Sequence, residues 1–90
     1  MRLQNMTWPK VEEYFQQNDT VMFSVGSVEC HGRHNPLGVD MLIPERLVNL
    51  IEAEDDSFLI APGIPYGACD SLSPFPGTIN LGTDVLYSVL

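Results

Sequence analysis

Basic residues are scarce in this 90-residue chain, and they are not clustered. Four Lys and Arg residues stand against twelve Asp and Glu residues, so the formal net charge is -8 at pH 7. Arg2, Lys10, Arg33 and Arg46 are spread singly along the sequence. Nucleic-acid backbones and anionic lipid surfaces are bound by clustered basic side chains, which neutralise several phosphates at once. The composition therefore argues against nucleic acid and an anionic membrane surface as partners.

Long apolar runs and a cysteine framework are also missing. No stretch approaches the roughly 20 apolar residues that a membrane-spanning helix needs. The first nine residues mix Arg, Gln, Asn and Thr, whereas a secretory signal has a charged segment followed by an apolar one. Without such a signal, the two cysteines, Cys30 and Cys69, are expected to be free thiols. We therefore expect a cytoplasmic protein.

The order of sequence patterns predicts an α/β fold. In chain order the patterns are an amphipathic helix at 7–17, an apolar β-prone run at 20–26, a helical repeat of apolar residues at 41–54, a second apolar run at 57–61, a Gly- and Pro-rich loop at 62–77, an extended piece at 78–81 and a helix capped by Thr83 or Asp84. Continuous apolar runs are typical of parallel strands covered on both faces. Ligands bind outside the carboxyl ends of such strands, so loops 26–40 and 62–77 are expected to share one rim of the sheet.

Loop 26–40 combines an imidazole with two carboxylates in a pattern that indicates a metal site. In an extended backbone, residues i and i+2 point to the same side, so Glu29 and His31 can direct an oxygen and a nitrogen at one point. Asp40 ends the same loop and adds a second carboxylate. Zn²⁺ and Mn²⁺ accept mixed nitrogen and oxygen ligands, whereas Ca²⁺ prefers oxygen throughout. The same alternation directs Cys30 to the other side, where a buried and unreactive thiol is expected.

Four short motifs, spread along nearly the whole chain, carry a family resemblance. They are Thr7-Trp8-Pro9, the segment 26–40, Pro65-Tyr66-Gly67 and Phe75-Pro76-Gly77-Thr78. In order and spacing they resemble the creatininase (creatinine amidohydrolase) family. Its members combine a Thr-Trp-Pro helix start with Gly-Ser-x-Glu-Gln-His-Gly-Pro-His-Leu-Pro-Leu-Gly-Thr-Asp, a Pro-Tyr-Gly loop and Phe-Pro-Gly-Thr.

The resemblance implies a three-layer α/β/α fold with a mainly parallel sheet, of which residues 1–90 form the N-terminal part of a single domain. It implies a metal-dependent hydrolase that cleaves a C–N bond in a small cyclic or linear amide through a metal-bound hydroxide, usually as a homo-oligomer. The complete site would hold two divalent ions, Zn or Mn. Glu29 would bind one ion, His31 the other, and Asp40 would bridge both. The remaining family ligands lie beyond this chain, and His34 corresponds to no family ligand.

The family loop after Tyr-Gly often reads Ser-x-x-His, and this chain departs from that pattern. The corresponding stretch, from Cys69 onward, contains no His that could assist a substrate. Tyr66, Cys69 and Asp70 are predicted as residues of the substrate pocket. The alternatives are loop packing by the ring of Tyr66 and a solvated carboxylate at Asp70. Cys30 and Arg33 replace the common Gln and Pro beside the ligands without replacing a ligand.

Two functions of different classes remain open from the sequence. The first is a metal-dependent amidohydrolase, or a related peptidase or deformylase, of which the 90 residues alone are expected to be inactive. The second is a non-catalytic fragment or pseudoenzyme that serves as an assembly scaffold. It is motivated by the last helical run, which stops without the Gly, Asn or basic residue that usually closes a helix. Because parallel strands need helices on both faces, we predict that the isolated chain aggregates or forms a loosely packed monomer.

Overall fold

A small parallel sheet and three α-helices make up the computed structural model, which describes residues 1–90. The helices are α1 (Trp8–Phe15), α2 (Val39–Glu54) and α3 (Thr83–Val89), the strands are β1 (Val21–Met22) and β2 (Leu59–Ile60), and short 3-10 turns lie at Leu3–Asn5 and Asp70–Leu72. The parallel strands and the helices between and around them in the sequence confirm the predicted α/β class.

Strand β2 occupies the centre of the sheet. It runs parallel to β1, with Val21 opposite Leu59 and Met22 opposite Ile60. On its other edge, Arg2 forms a further parallel bridge to Ile60. Joining two parallel strands requires a crossover connection, and α2 lies within the segment that provides it. The first residues of the chain are therefore part of the sheet, which the sequence patterns do not indicate.

Both strands are shorter than the sequence predicts, because the register between them changes. Each regular strand contains two residues. Val25 pairs with Ile64, one residue out of the register of β1 and β2, so the segment after β2 contains one extra residue. Pairing resumes beyond it: the amide of Ile64 donates to the carbonyl of Ser24 at 2.8 Å, and the amide of Gly26 donates to the carbonyl of Ile64 at 2.9 Å. The two loops that were expected to share one rim of the sheet therefore start side by side.

The helices begin close to their predicted positions, with one wrong cap. Thr7 precedes α1 as predicted, although its side chain makes no capping hydrogen bond. The residue before α3 is Gly82, so the prediction of Thr83 or Asp84 as its cap is wrong. Gly82 has a φ of +76°, which glycine adopts without strain, and its amide donates to Oδ1 of Asn80 at 3.0 Å. This turn, and not a side-chain cap, sets the start of α3.

The core centres on Leu59 and Ile60, whose side chains are almost completely buried. Burying an aliphatic side chain of this size stabilises a fold by about 1.5–3 kcal/mol. Tyr14 of α1 is buried beside them. Its hydroxyl donates to the carbonyl of Thr20 at 2.7 Å and accepts from the amide of Leu59 at 3.3 Å. One phenol group therefore ties α1 to the beginning of both strands.

Arg2 ties the first residues to α2. Its Nε donates to Glu52 at 2.7 Å, and a terminal nitrogen donates to Glu45 at 3.2 Å. The N-terminal ammonium of Met1 lies 3.4 Å from Glu52 as well. The hydrogen bond from Arg2 is the main cause that lowers the pKa of Glu52 below its ordinary value of 4.5. The edge segment is thus held by side chains as well as by the sheet.

Helix α2 exposes large apolar side chains on most of its surface. Val48 is its buried residue. The exposed apolar residues are Leu42, Ile43, Leu47, Leu50 and Ile51. Apolar patches of this kind mark surfaces that are covered in a larger assembly or used for interaction. None of the three helices has both the length and the apolar character needed to cross a membrane.

Candidate metal centre

The segment that carries the first two predicted ligands is held on both of its edges. On one edge, the amide of Glu29 donates to the carbonyl of Leu37 at 3.0 Å. On the other edge, the amide of Ile79 donates to the carbonyl of Val28 at 2.8 Å. These bonds keep the backbone extended, so that side chains two positions apart point to the same side.

Glu29, His31 and Asp40 come together at the rim of the sheet. Nε2 of His31 lies 3.0 Å from Oδ2 of Asp40 and 3.8 Å from Oε1 of Glu29. One ligand atom from each residue falls within 4.8 Å of the other two. All three side chains are half-buried, so the cluster is framed by protein and still open to solvent. The structure therefore brings together the complete set that was predicted as metal ligands.

Asp40 reaches this cluster from the first turn of α2, and Ser27 holds its carboxylate. The hydroxyl of Ser27 donates to Oδ2 of Asp40 at 3.0 Å. This hydrogen bond is the main cause that lowers the pKa of Asp40 below its ordinary value of 3.8, although partial burial opposes it. Asp40 is consequently ionised at neutral pH, which is the state that a metal ligand requires.

Cys69 lies close to the cluster but is not one of its three residues. The residue is buried, and burial is the main cause that raises the pKa of its thiol to about 11. The negative charge of Glu29 raises this pKa further. In the metal-free protein, Cys69 is therefore a protonated thiol at neutral pH. The three residues that the structure clusters as potential ligands do not include it.

The other residues predicted for a substrate pocket occupy a loop that is tied down by Asn80. Oδ1 of Asn80 accepts from the amide of Cys69 at 2.8 Å, and Nδ2 of Asn80 donates to Asp70 at 2.8 Å. Asp70 is therefore hydrogen-bonded within the protein as well as solvated. The ring of Tyr66 is exposed. No cavity of the structure is lined by Tyr66, Cys69 or Asp70, so their assignment to a substrate pocket stays a prediction.

Two side chains near the ligands take no part in the cluster. Two residues that support the ligands were not predicted from the sequence. His34 is exposed, and both it and Cys30 lie outside the three-residue group. Cys30 is half-buried, so the prediction of a buried thiol at this position is wrong. Ser27 could have been found, because it lies two and four residues before the first two ligands and so shares their side of an extended backbone. Thr78, whose hydroxyl accepts from the amide of Cys30 at 3.1 Å, could not, because 48 residues separate the pair.

The chemistry of the cluster fits a divalent metal ion. It offers one imidazole nitrogen and two carboxylates, a mixed set that suits Zn²⁺ and Mn²⁺. Asp40 is held as a carboxylate, and its partial exposure leaves a path for an ion to enter. His31 and Asp40 also hydrogen-bond to each other.

Comparison with known proteins identifies the family of this chain. The family model for creatinine amidohydrolase, Creatininase, matches residues 4–90. The chain belongs to the creatininase family. The family resemblance that the sequence motifs indicate is therefore confirmed.

Relatives with assigned functions fall into two groups within the creatininase family. The mycofactocin precursor peptide peptidase of Mycobacterium tuberculosis is 35% identical over 80 residues, which cover 79% of this chain and 32% of the relative. The creatinine amidohydrolase of Pseudomonas putida is 34% identical over 82 residues, which cover 84% of this chain and 31% of the relative. The chain thus spans about a third of the length of both relatives.

Solved creatininase structures share the fold of this chain. A crystal structure of creatininase superposes with a TM-score of 0.83 at 28% identity, and it covers 98% of this chain and 36% of that one. Among similar structures are a creatininase with Mn, at a TM-score of 0.83 and 26% identity, and a mutant creatininase of Zn-Zn type, at 0.81 and 28%. A further mutant creatininase is complexed with creatine. The α/β fold of the creatininase family therefore extends over nearly all of this chain.

Proposed function

We propose that this chain forms part of the metal centre of a metal-dependent amidohydrolase, which hydrolyses a C–N bond in a small cyclic or linear amide. The observation that carries this proposal is the meeting of Glu29, His31 and Asp40, with Nε2 of His31 within 3.8 Å of both carboxylates. Family membership supports hydrolase chemistry at this position. Because the chain spans about a third of its relatives, the activity is proposed for the complete domain.

Each residue has a distinct role in the proposed centre. Glu29 would bind one ion, His31 would bind a second, and Asp40 would contribute to both. When bound, divalent ions would polarise an amide carbonyl and lower the pKa of water enough for attack near neutral pH. Ser27 favours the ionised form of Asp40 by donating to Oδ2. His31 would give up its hydrogen bond with Asp40 to bind an ion.

The metal and the substrate are proposed from the relatives. Similar solved structures include Mn and Zn-Zn forms of creatininase, which supports Mn²⁺ or Zn²⁺ here. The relatives are a creatinine amidohydrolase and a mycofactocin precursor peptide peptidase, so both a cyclic amide and a peptide bond belong to the proposed substrate class. We further propose a homo-oligomer in the cytoplasm that binds neither nucleic acid nor membranes, in line with the net charge of -8.

Metal binding by the purified chain tests the first part of this proposal. We expect isothermal titration with Mn²⁺ and with Zn²⁺ to show saturable binding, and Asp40→Asn to weaken it at least tenfold, since second-shell changes alone weaken metal affinity by about 10–100-fold. Asp19→Asn is the matched control, because Asp19 is exposed and contacts only Thr20. Unchanged metal affinity in Asp40→Asn would overturn the assignment.

A chimera tests the hydrolase chemistry. The segment of the Pseudomonas putida creatinine amidohydrolase that aligns with this chain is replaced by the chain itself, and creatinine hydrolysis is followed at saturating Mn²⁺. We expect hydrolysis above background, and its loss when Asp40→Asn is introduced into the chimera. A folded chimera that binds the metal and hydrolyses nothing, either creatinine or a short peptide, would favour a non-catalytic role.

The second candidate function is the non-catalytic assembly scaffold, and the apolar surface of α2 is the observation that favours it. Leu42, Ile43 and Leu47 are each more than half exposed, at 60%, 56% and 55%. A scaffold would use this surface for association irrespective of any metal. Size-exclusion chromatography with light scattering distinguishes the two functions: a defined oligomer that persists in Asp40→Asn and in chelator, together with an inactive chimera, would establish the scaffold.

A further inference from the structure

Thr78 contacts the peptide backbone between two of the proposed metal ligands. The amide of Cys30, which lies between Glu29 and His31 in the sequence, donates to Oγ1 of Thr78 at 3.1 Å. Thr78 belongs to the loop that follows β2, 48 residues further along the chain. Its side chain is half-buried, so the hydrogen bond is partly shielded from water.

This bond takes the place of a backbone hydrogen bond. In a regular pair of strands, an amide on one strand donates to a backbone carbonyl on the other. The neighbouring bond, from the amide of Ile79 to the carbonyl of Val28 at 2.8 Å, is of that type. Gly77, however, has a φ of +87°, so the backbone turns just before Thr78 and leaves extended geometry. The acceptor for Cys30 is therefore supplied by a side chain, and it depends on which residue stands at position 78.

The hydrogen bond between Cys30 and Thr78 lies where it can control the direction of two ligand side chains. A rotation of the peptide unit at Cys30 would turn the side chains of Glu29 and His31 away from their common direction, because both are attached to the same short extended segment. The opposite edge is held at Glu29 by the carbonyl of Leu37. The Thr78 hydroxyl is the corresponding restraint on the side of His31. Functional groups must be held within about 0.5 Å of their productive geometry to bind an ion well.

We propose that Thr78 is a positioning residue for the metal ligands Glu29 and His31, acting through the amide of Cys30. This role rests on the metal centre proposed above and adds a residue to it. Thr78 does not itself bind the ion or the substrate. Its hydroxyl holds the ligand backbone in the conformation that an ion would need, so its removal weakens metal binding without changing any ligand.

The test compares four versions of the chimera described above by isothermal titration with Mn²⁺: the parent sequence, Thr78→Val, Thr78→Ser and Thr83→Val. Val keeps the shape of Thr and removes the acceptor, whereas Ser keeps the acceptor. Thr83 is exposed and its hydroxyl makes no hydrogen bond, so Thr83→Val is the matched control. We expect Thr78→Val to weaken Mn²⁺ binding by about 10-fold or more, as second-shell changes do. Thr78→Ser and Thr83→Val should bind like the parent.

A second readout separates positioning from a general loss of stability. Amide hydrogen exchange in the metal-free proteins should show that Thr78→Val exposes the amide of Cys30, while the amides of Leu59 and Ile60 in the core remain as protected as in the parent. Thr78→Ser should restore protection at Cys30. If Thr78→Val does not fold, Thr78→Ala takes its place, because it removes the same acceptor without adding volume.

The possible failures are distinguishable. No Mn²⁺ or Zn²⁺ binding by the folded parent chimera, in which the relative supplies the rest of the domain, would overturn the proposed metal centre, and the positioning role with it. Binding by the parent that is unchanged in Thr78→Val would overturn the positioning role alone. Equal weakening in Thr78→Val and Thr78→Ser would also overturn it, because the hydroxyl would then not be the relevant group.

Discussion

Gly26 packs directly against the backbone carbonyl of Asp40. A Cβ atom at position 26 would overlap that oxygen, and it would also fall 2.8 Å from Sδ of Met41. Pro44, four residues after Asp40, has no N–H to donate to the same carbonyl. The start of α2 can therefore approach the rim of the sheet closely, and this approach delivers Asp40 to Glu29 and His31.

The first prediction follows from this contact. Gly26→Ala should push the first turn of α2 away from the sheet and weaken Mn²⁺ binding by about 10-fold or more, comparable to the loss of a supporting residue. Gly38→Ala is the matched control, because a Cβ there meets only Leu42 at 3.9 Å, an ordinary van der Waals contact. Titration calorimetry measures both. Equal Mn²⁺ affinity in the two variants would contradict the prediction.

The second prediction concerns the hydrogen bond from Ser27. Ser27→Ala removes the main cause that lowers the pKa of Asp40, so this pKa should rise toward 3.8. Ionised Asp40 stabilises the fold above its unfolded pKa, and this stabilisation is lost as pH falls through its lower folded pKa. In Ser27→Ala the two pKa values lie closer together, so the stabilisation is smaller. Carbon-detected NMR titration of the Asp40 carboxyl group measures the shift. Ser71→Ala, at an exposed hydroxyl without a partner, should leave the Asp40 titration unchanged.

The third prediction concerns the pH dependence of folding. The pKa of Glu52 is lowered mainly by its hydrogen bond with Arg2, so the ionised form stabilises the fold above the ordinary pKa of 4.5. Glu52→Gln should lower the urea midpoint at neutral pH, and the difference from the parent should shrink as pH falls through the lowered folded pKa. Glu54→Gln is the control, because Glu54 has no ion-pair partner. A difference that grows in acid would contradict the assigned direction.

The fourth prediction separates the two thiols. Cys69 is buried and its pKa is raised to about 11, so about one thousandth of it is thiolate near pH 8. Iodoacetamide should therefore modify half-buried Cys30 first and reach Cys69 only when urea unfolds the chain. Mass spectrometry of Cys30→Ser, which carries Cys69 alone, isolates the slow reaction. Rapid alkylation of that variant under native conditions would show that the thiol is neither buried nor protonated.

The sequence predicts the class of fold and the ligand cluster for the same reason, namely that both depend on short-range periodicity. Alternation within 27–31 directs ligands to one side, and continuous apolar runs indicate parallel strands. What escapes prediction depends on distant partners. Thr78 acquires its role only because Gly77 turns the chain there, and the cap of α3 at Gly82 depends on a hydrogen bond to Asn80. Neither is visible in a local pattern.

Two of the groups that hold the ligand segment lie far from it in the sequence. Glu29, His31 and Asp40 all lie in its first half, whereas the carbonyl of Ile64 and the hydroxyl of Thr78, which hold Gly26 and Cys30, lie in its second. A ribosome releases the N-terminal residues first. The donor atoms therefore emerge before two of the groups that restrain them, and the hydrogen bonds that hold Gly26 and Cys30 can form only after residue 78 has left the ribosome.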